Sequence, residues 1–241
     1  MTTKTTAHVG LTLFFPMYNE KETIERMVYK ALSTLETMVD DYEIVIVDDA
    51  SYDGSEEIAD ELARQHPQVR VVRHPRNMGY GTALRTGLQN ATKELVFYTD
   101  CDEPVDLRDI GRALALIGPD ADLVIGYRIR RYDTVRRFAY SVVYNFLCRL
   151  LFGVRVRDVN FSFKLLKREV LQDIHLSAGS VFIDGELLAE AIRRGRRIVE
   201  IPVQYFPRRS GKSSFDSLHA ATYTLGEMFA YWWRARVRRL P

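Results

Sequence analysis

The sequence predicts an α/β fold with a mostly parallel central sheet flanked by helices. Three observations carry that expectation. Apolar, β-branched runs recur through the first half of the 241 residues. They are continuous rather than alternating, as in strands covered on both faces. Helical patterns separate them, giving the βαβαβ alternation of a doubly wound sheet.

The strand-like runs fall at 9–15, 42–49, 69–74, 94–100 and 122–127, and the helical patterns at 20–39 after Asn19, 54–66 after Asp53, 79–91 and 106–117. The second half reads differently. An amphipathic stretch at 134–152 is flanked by Arg, strand-like runs follow at 159–167 and 197–206, a helix spans 182–195, and a long helix begins near 216. No repeat, low-complexity tract or linker interrupts the chain.

Composition narrows the function. With 46% hydrophobic residues the chain is neither disordered nor fibrous. Of the 34 basic residues 27 are Arg, the side chain that forks onto phosphate and carboxylate. The net charge of +2 conceals −10 in residues 1–127 and +12 in 128–241. Such asymmetry suggests contact with nucleic acid or membrane, against the plain alternative of a solvated surface. Two cysteines, Cys101 and Cys148, form neither a disulfide framework nor a metal-binding spacing, so a reducing compartment is expected. The N-terminal apolar run is too short for a secretory signal. Leu218–Trp233, interrupted by His219 and Glu227, is too short and too polar to span a bilayer.

In doubly wound sheets ligands sit beyond the carboxyl ends of the strands. The loops there are 16–20, 48–55, 76–83 and 99–104. Asp100 and Asp102 close an apolar strand, and two hard oxygen donors at that position suit Mg²⁺ or Mn²⁺ bridging to a diphosphate. A solvated turn is the competing reading, and the strand-end position favours function. Asp48 and Asp49 are adjacent like charges that need a partner, which a ribose or base edge would supply to one of them. An Asx turn or helix cap accounts for Ser51 or Asp53.

Gly79 and Gly81 stand where a loop enters a helix, a geometry that admits phosphate or base against the backbone. They do not match the dinucleotide fingerprint, which follows the first strand, and Gly87 reads as a packing residue. In 207–215, Arg208, Arg209 and Lys212 surround a glycine, with Ser213 and Ser214 as further donors. A basic loop of this kind suits closure over a diphosphate, or else is an exposed or nucleic-acid-binding face. Asp184 and Glu186 open a helix, where acids favour the N-terminal dipole, so a helix-end role is the default for at least one. The five histidines show no ligand spacing.

Taken in order, PMYNE, VDDASYDGS, NMGYGTALRTG, TDCD, VNFSFKLLKR, FIDGELL and RRSGKSS resemble the family 2 glycosyltransferases of the GT-A (Rossmann-like) fold. Within that family the chain is most similar to the polyprenyl-phosphate sugar transferases, the group of dolichol-phosphate mannose synthase. The resemblance runs from about residue 10 to 215. It implies a catalytic domain over 1–215, with a nucleotide-binding half (1–127) and an acceptor-binding half (128–215), followed by a C-terminal amphipathic basic helix (216–241). It also implies that Pro16, Tyr18, Glu20 and Asp48 or Asp49 line the nucleoside site, and that Asp100 and Asp102 bind the metal. Arg208 would contact phosphate, with Lys212 and Ser213 in the same loop. Arg128, Arg137 and Ser141 would hold the acceptor phosphate; the last two lie one helical turn apart. The chain departs from the family at Pro104, where many members carry Gln, which leaves Glu103 or water to complete the metal shell.

The reaction so implied moves a sugar, mannose or glucose, from a GDP- or UDP-sugar to a dolichyl or undecaprenyl phosphate, with inversion. Metal and Arg208 or Lys212 would stabilise the departing diphosphate. Asp158, Asp184 and Glu186 are candidate bases only if the acceptor binds protonated. Trp232 and Trp233 with Tyr231, followed by Arg234, Arg236, Arg238 and Arg239, suit a helix lying on an anionic leaflet; a core-packed helix with a solvated tail is the alternative. The stretch 138–153 would guide a lipid tail, or else form a buried helix or a dimer face. A peripheral location on the cytosolic face is therefore expected, with a membrane-protein partner as a second means of anchoring and no nucleic-acid partner. A soluble or polysaccharide acceptor is the competing enzyme reading, and a nonenzymatic nucleotide- or RNA-binding protein the competing class.

Overall fold

The computed structural model describes residues 9–102, 104–130, 135–206 and 218–237. Seven strands make one sheet: β1 (Leu11–Met17), β2 (Tyr42–Asp48), β3 (Val69–Arg73), β4 (Leu95–Tyr98), β5 (Leu123–Arg128), β6 (Lys164–Lys167) and β7 (Ile198–Val203). The order is β3-β2-β1-β4-β6-β5-β7. All pairings are parallel except those of β6, which runs antiparallel between β4 and β5. The helices are α1 (Ile24–Met38), α2 (Ser55–Gln65), α3 (Tyr80–Asn90), α4 (Asp109–Leu114), α5 (Val135–Phe152), α6 (Phe182–Arg193) and α7 (Leu218–Val237).

Successive side chains of a strand point to opposite faces, and here both faces are apolar. Leu11, Leu13 and Phe15 of β1 with Ile44 and Ile46 of β2 pack under α1 and α2. Phe14, Val45 and Val47 face the other way, toward α3 and α6. This two-sided burial is why the runs read as continuous. On the α3 face, Phe14 stacks on Tyr98 with ring centroids 5.3 Å apart. A Cβ on Gly87 would lie 2.2 Å from the Phe14 ring, so Gly87 is a packing residue.

Boundaries differ from expectation where loops claim residues. Helix α1 starts at Ile24 rather than 20, because the Glu20 carbonyl accepts the Thr23 and Ile24 N–H groups and closes the first turn from outside. Helix α4 is shorter than the 106–117 pattern. The expected strand 159–167 reduces to β6, since 159–163 turns to bring Phe161, Ser162 and Lys164 toward the sheet's carboxyl edge. Helix α6 is buried from Phe182 to Ala191.

At the opposite edge Glu43 knits three elements together. It accepts hydrogen bonds from Thr12 (2.6 Å), from Arg70 (2.9 Å), and from the Thr92 backbone and hydroxyl (2.8 Å each). Burial works to raise its pKa, but the bonds from Arg70, Thr12 and Thr92 outweigh burial and lower it from 4.5 to about 2. A folded value below the unfolded one makes a contribution that is complete above the unfolded value of 4.5 and vanishes as pH falls through about 2. Glu43→Gln is expected to lower stability by about 2–3 kcal/mol at pH 7. In urea titrations the gap from wild type should close between pH 4.5 and 2.

Candidate active site

Asp100 stands two residues beyond the end of β4, and two elements donate to it. Its Oδ1 accepts the Tyr80 hydroxyl, from the first residue of α3, at 3.2 Å. Its Oδ2 accepts the Ser162 hydroxyl, from the turn before β6, at 2.7 Å. Burial first, and then the nearby Asp102 charge, push the Asp100 carboxyl up to about 7 despite those two bonds, which lower it. Two carboxylates one residue apart at a sheet edge thus repel unless a cation joins them. Among the described residues, no group of three or more His, Cys, Asp or Glu side chains could hold a metal ion; Asp100 and Asp102 could contribute a two-carboxylate donor set. Its hard oxygens fit Mg²⁺ or Mn²⁺ with diphosphate and water filling the other positions.

Behind this carboxylate lies a buried ion pair. Lys164, fully buried, sets its Nζ 2.7 Å from Asp184 Oδ1 and donates to the Phe161 carbonyl at 2.7 Å. The Tyr98 hydroxyl donates to the same Asp184 oxygen at 2.7 Å. Asp184 sits in the first turn of α6, yet its partners are side chains across the core. Glu186 accepts from the Ser177 N–H and hydroxyl and the Ala178 N–H at 2.8–2.9 Å. It holds the turn before α6. The helix-end default is thus replaced by specific partners for both acids.

The loops after β1 and β2 are joined to each other. Asn19 and Ala50 adopt positive φ, 56° and 62°, a conformation uncommon for side chains other than glycine. The Asn19 N–H donates to Ser51 Oγ, and the Tyr52 N–H donates to Asn19 Oδ1, both at 3.0 Å. Tyr18 and Tyr52 meet edge to face at 6.1 Å and are both exposed. Pro16 lies in β1 opposite Val47, and Glu20 accepts the Thr23 hydroxyl at 2.9 Å. Pro16, Tyr18 and Glu20 therefore converge at the end of β1. Asn19, Ala50 and Tyr52, which no residue type marked out singly, link the PMYNE and DDASYD segments.

Asp48 and Asp49, one of which is expected to meet a ribose or base edge, each have protein partners as well. Asp48 is fully buried and accepts from Arg73 Nε at 2.7 Å and from the Ser51 N–H at 2.9 Å. Asp49 accepts from the Met78 and Gly79 N–H groups at 2.8 Å each and contacts His74 Nδ1 at 2.6 Å. These bonds fix the shape of the loops that carry the two carboxylates. Gly79, at φ 86°, makes the bend that lets its N–H reach Asp49 and starts α3. The Asx turn foreseen for Asp53 forms, through bonds from the Ser55 N–H and hydroxyl.

Arg128, expected at the acceptor phosphate, ends β5 and donates through Nε and Nη2 to Asp158 at 2.7 and 3.0 Å. Its guanidinium lies 5.6 Å from the Phe161 ring centroid and 5.5 Å from that of Tyr205. Arg137 and Ser141 lie one turn apart on α5, both half-buried. Arg208, Lys212 and Ser213 fall outside the described residues, as does Glu103. The Pro104 carbonyl accepts the Phe206 N–H at 2.9 Å, which ties the Asp102 loop to the segment after β7.

A protein-family model described as "Glycosyl transferase family 2" matches residues 12–175. The chain belongs to that family. It is 30% identical to the glycosyltransferase AglD of Haloferax volcanii over 97% of its own length and 39% of that protein. It is also 30% identical to a polyprenol monophosphomannose synthase of Mycolicibacterium smegmatis, over 89% of this chain and 85% of the relative. An undecaprenyl-phosphate 4-deoxy-4-formamido-L-arabinose transferase of Edwardsiella ictaluri shares 30% identity, over 85% of this chain and 62% of the relative. The chain thus spans well under two thirds of AglD and slightly under two thirds of the arabinose transferase.

Solved structures repeat the family 2 architecture. Glucosyl-3-phosphoglycerate synthase of Mycobacterium tuberculosis, crystallised with Mn²⁺ and UDP, superposes with a TM-score of 0.72 at 20% identity, over 93% of this chain and 80% of that one. A Pyrobaculum calidifontis mannosyltransferase with GDP-mannose and Mn²⁺ gives 0.62 at 23% identity, over 98% and 66%. At these identities the likeness establishes the GT-A fold expected from the sequence.

The buried Lys164–Asp184 pair offers a direct check on the floor of the site. Removing one partner leaves an uncompensated buried charge. Lys164→Met is expected to lower stability by about 3–5 kcal/mol, and the double variant Lys164→Met/Asp184→Leu to recover much of that loss in urea unfolding.

Proposed function

We propose that this family 2 glycosyltransferase moves a hexose, mannose or glucose, from a GDP- or UDP-sugar to a polyprenyl phosphate at the cytosolic surface of a membrane. The observation that carries the reading is the exposed face of α5, the helix that follows Arg128 in the chain. Among the described side chains of α5 only Tyr144 and Cys148 are buried, while Val135, Phe138, Val142, Val143, Phe146 and Leu150 are exposed. Those positions recur at helical spacing on one face, so an apolar stripe runs along the helix that follows Arg128 in sequence. A lipid phosphate at the sheet's carboxyl edge with its chain along the stripe matches that arrangement. Two relatives whose names specify polyprenyl-phosphate chemistry support it.

Helix α7 has the same two-faced build. Thr224, Met228 and Tyr231 are buried, and Leu225, Phe229, Trp233 and Val237 are exposed. Tyr231, expected among the interfacial aromatics, instead turns inward and donates to Glu190 Oε1 at 2.5 Å. Trp233 stays outward, and Arg236 lies 4.3 Å over the Trp232 ring. Aromatic and basic groups on an outward face suit the headgroup level of an anionic leaflet. No helix among the described residues is long and apolar enough to cross a membrane. A membrane-protein partner offers a second route to the bilayer.

A phosphate monoester with a second pKa near 6 is largely dianionic at neutral pH, so its oxygen attacks the anomeric carbon without losing a proton. The three acids open to a base role are engaged otherwise: Asp158 with Arg128, Asp184 with Lys164 and Tyr98, and Glu186 with the 177–178 turn. Asp100 and Asp102 would hold Mg²⁺ or Mn²⁺, which when bound neutralises the diphosphate. Tyr80 and Ser162 orient the Asp100 carboxylate, Tyr18 and Tyr52 offer aromatic faces to the base, and Pro16 and Glu20 shape the same pocket. Arg208, Lys212 and Ser213 would close over the departing diphosphate, and Arg137 with Ser141 would hold the acceptor phosphate.

The chain should carry label from one nucleotide sugar in a GDP- and UDP-linked panel into the organic phase when given Mg²⁺ or Mn²⁺ and a short-chain polyprenyl phosphate. Asp102→Asn should cut transfer at least 100-fold while circular dichroism stays native. Label reaching only water-soluble products would replace the lipid acceptor with a soluble one.

A further inference from the structure

We infer that Glu227, on α7 and outside every site loop, is a positioning residue for Asp100 of the Asp100–Asp102 pair. Both oxygens of its carboxylate are committed: Oε1 accepts the Gly179 N–H at 2.8 Å and Oε2 the Ser180 N–H at 3.0 Å. These are successive backbone donors in the turn that leads into α6, so the carboxylate fixes the orientation of that peptide plane as well as its position.

The fixed turn bears directly on the start of α3. The Gly179 carbonyl accepts the Gly81 N–H at 2.9 Å. The two backbones touch with no side chain between them, since a Cβ on Gly81 would lie 2.5 Å from the Gly179 carbonyl carbon and 2.6 Å from the Ser180 oxygen. Tyr80, the neighbour of Gly81, donates its hydroxyl to Asp100. The chain of contacts is therefore Glu227, the 179–180 turn, Gly81, Tyr80 and Asp100, and every link is a hydrogen bond or a covalent neighbour. Because the Gly81 contact is backbone on backbone, a shift of the turn has no flexible side chain to absorb it.

Helix α7 is otherwise held to the same region by Met228, fully buried, by the Tyr231 bond to Glu190, and by Arg234 Nη2 donating to Ser177 Oγ at 2.9 Å. Those contacts keep the helix in place when Glu227 is altered, and they separate its positioning effect from loss of α7. The inference rests on the proposed role of Asp100 and Asp102 as metal ligands.

The test titrates Mn²⁺ into the full chain with UDP or GDP present, reading bound metal by electron paramagnetic resonance, for wild type, Glu227→Gln, Tyr80→Phe, the double variant and Asp102→Asn. Glu227→Gln keeps the size of the side chain but puts an amide donor against one N–H. Glu227→Gln is expected to weaken Mn²⁺ binding about tenfold, Tyr80→Phe to do likewise, and the double variant to be no weaker than Tyr80→Phe alone. Thermal unfolding of each variant runs alongside. Wild-type Mn²⁺ affinity in folded Glu227→Gln, or additive losses in the double variant, would overturn the inference while Asp102→Asn still abolishes binding. Unchanged binding in Asp102→Asn would instead remove the metal site itself and the inference with it.

Discussion

The antiparallel strand β6, wedged between parallel β4 and β5, is the constraint on which the site depends. Its register sets Lys164 opposite Tyr98, and from that one pairing three consequences follow. Lys164 enters the core and must find Asp184. Ser162, two residues earlier, reaches Asp100 past the end of β4. Asp158, at the start of the same reversal, reaches back to Arg128 at the end of β5. A parallel strand in that place would run its carboxyl end away from the chain 158–163 and bring none of these groups to the edge.

The loops on the other side are held by a different device, carboxylates that accept backbone N–H groups. Asp49 takes those of Met78 and Gly79, Asp48 that of Ser51, and Glu186 those of Ser177 and Ala178. Hydrogen bonds to an ionised acceptor are about twice as strong as neutral ones. Loops rich in Gly, Asn and Ser, with little apolar surface of their own to bury, gain fixed shapes this way. The acidic surplus of the first half thus has two uses: some of its carboxylates shape the backbone, and Asp100 and Asp102 face the site.

The parallel strands were legible because two-sided burial leaves a continuous apolar run, and the site loops were legible because ligands gather at the strand ends. Direction was not legible: VNFSFKLL reads as one apolar strand in either sense, and nothing local tells that its first five residues turn. The loop-shaping partners of Asp48 and Asp49, Arg73, His74 and two backbone amides, were not legible because they lie 25–30 residues away in sequence. Tyr231 sits in an aromatic and basic run, so composition could not separate it from Trp233; only the angular position on α7 does. Helix α6, buried all round, and α5, buried on one narrow side, have similar apolar content, and the sheet geometry decides between them.

The sharp division of charge along the chain invites the thought that two units were joined, one for each substrate. The sheet forbids separating them. Strand β5 finds both its neighbours, β6 and β7, in the basic half, and β4 meets β6 on one flank. A fragment ending near residue 127 would keep β1 to β4 with an unpaired apolar border at β4 and leave β5 with nothing to hydrogen-bond. Such a border is a template for indiscriminate strand addition. Expressed by itself, the acidic fragment would aggregate, whereas the two fragments produced together have a complementary seam along which to reassemble.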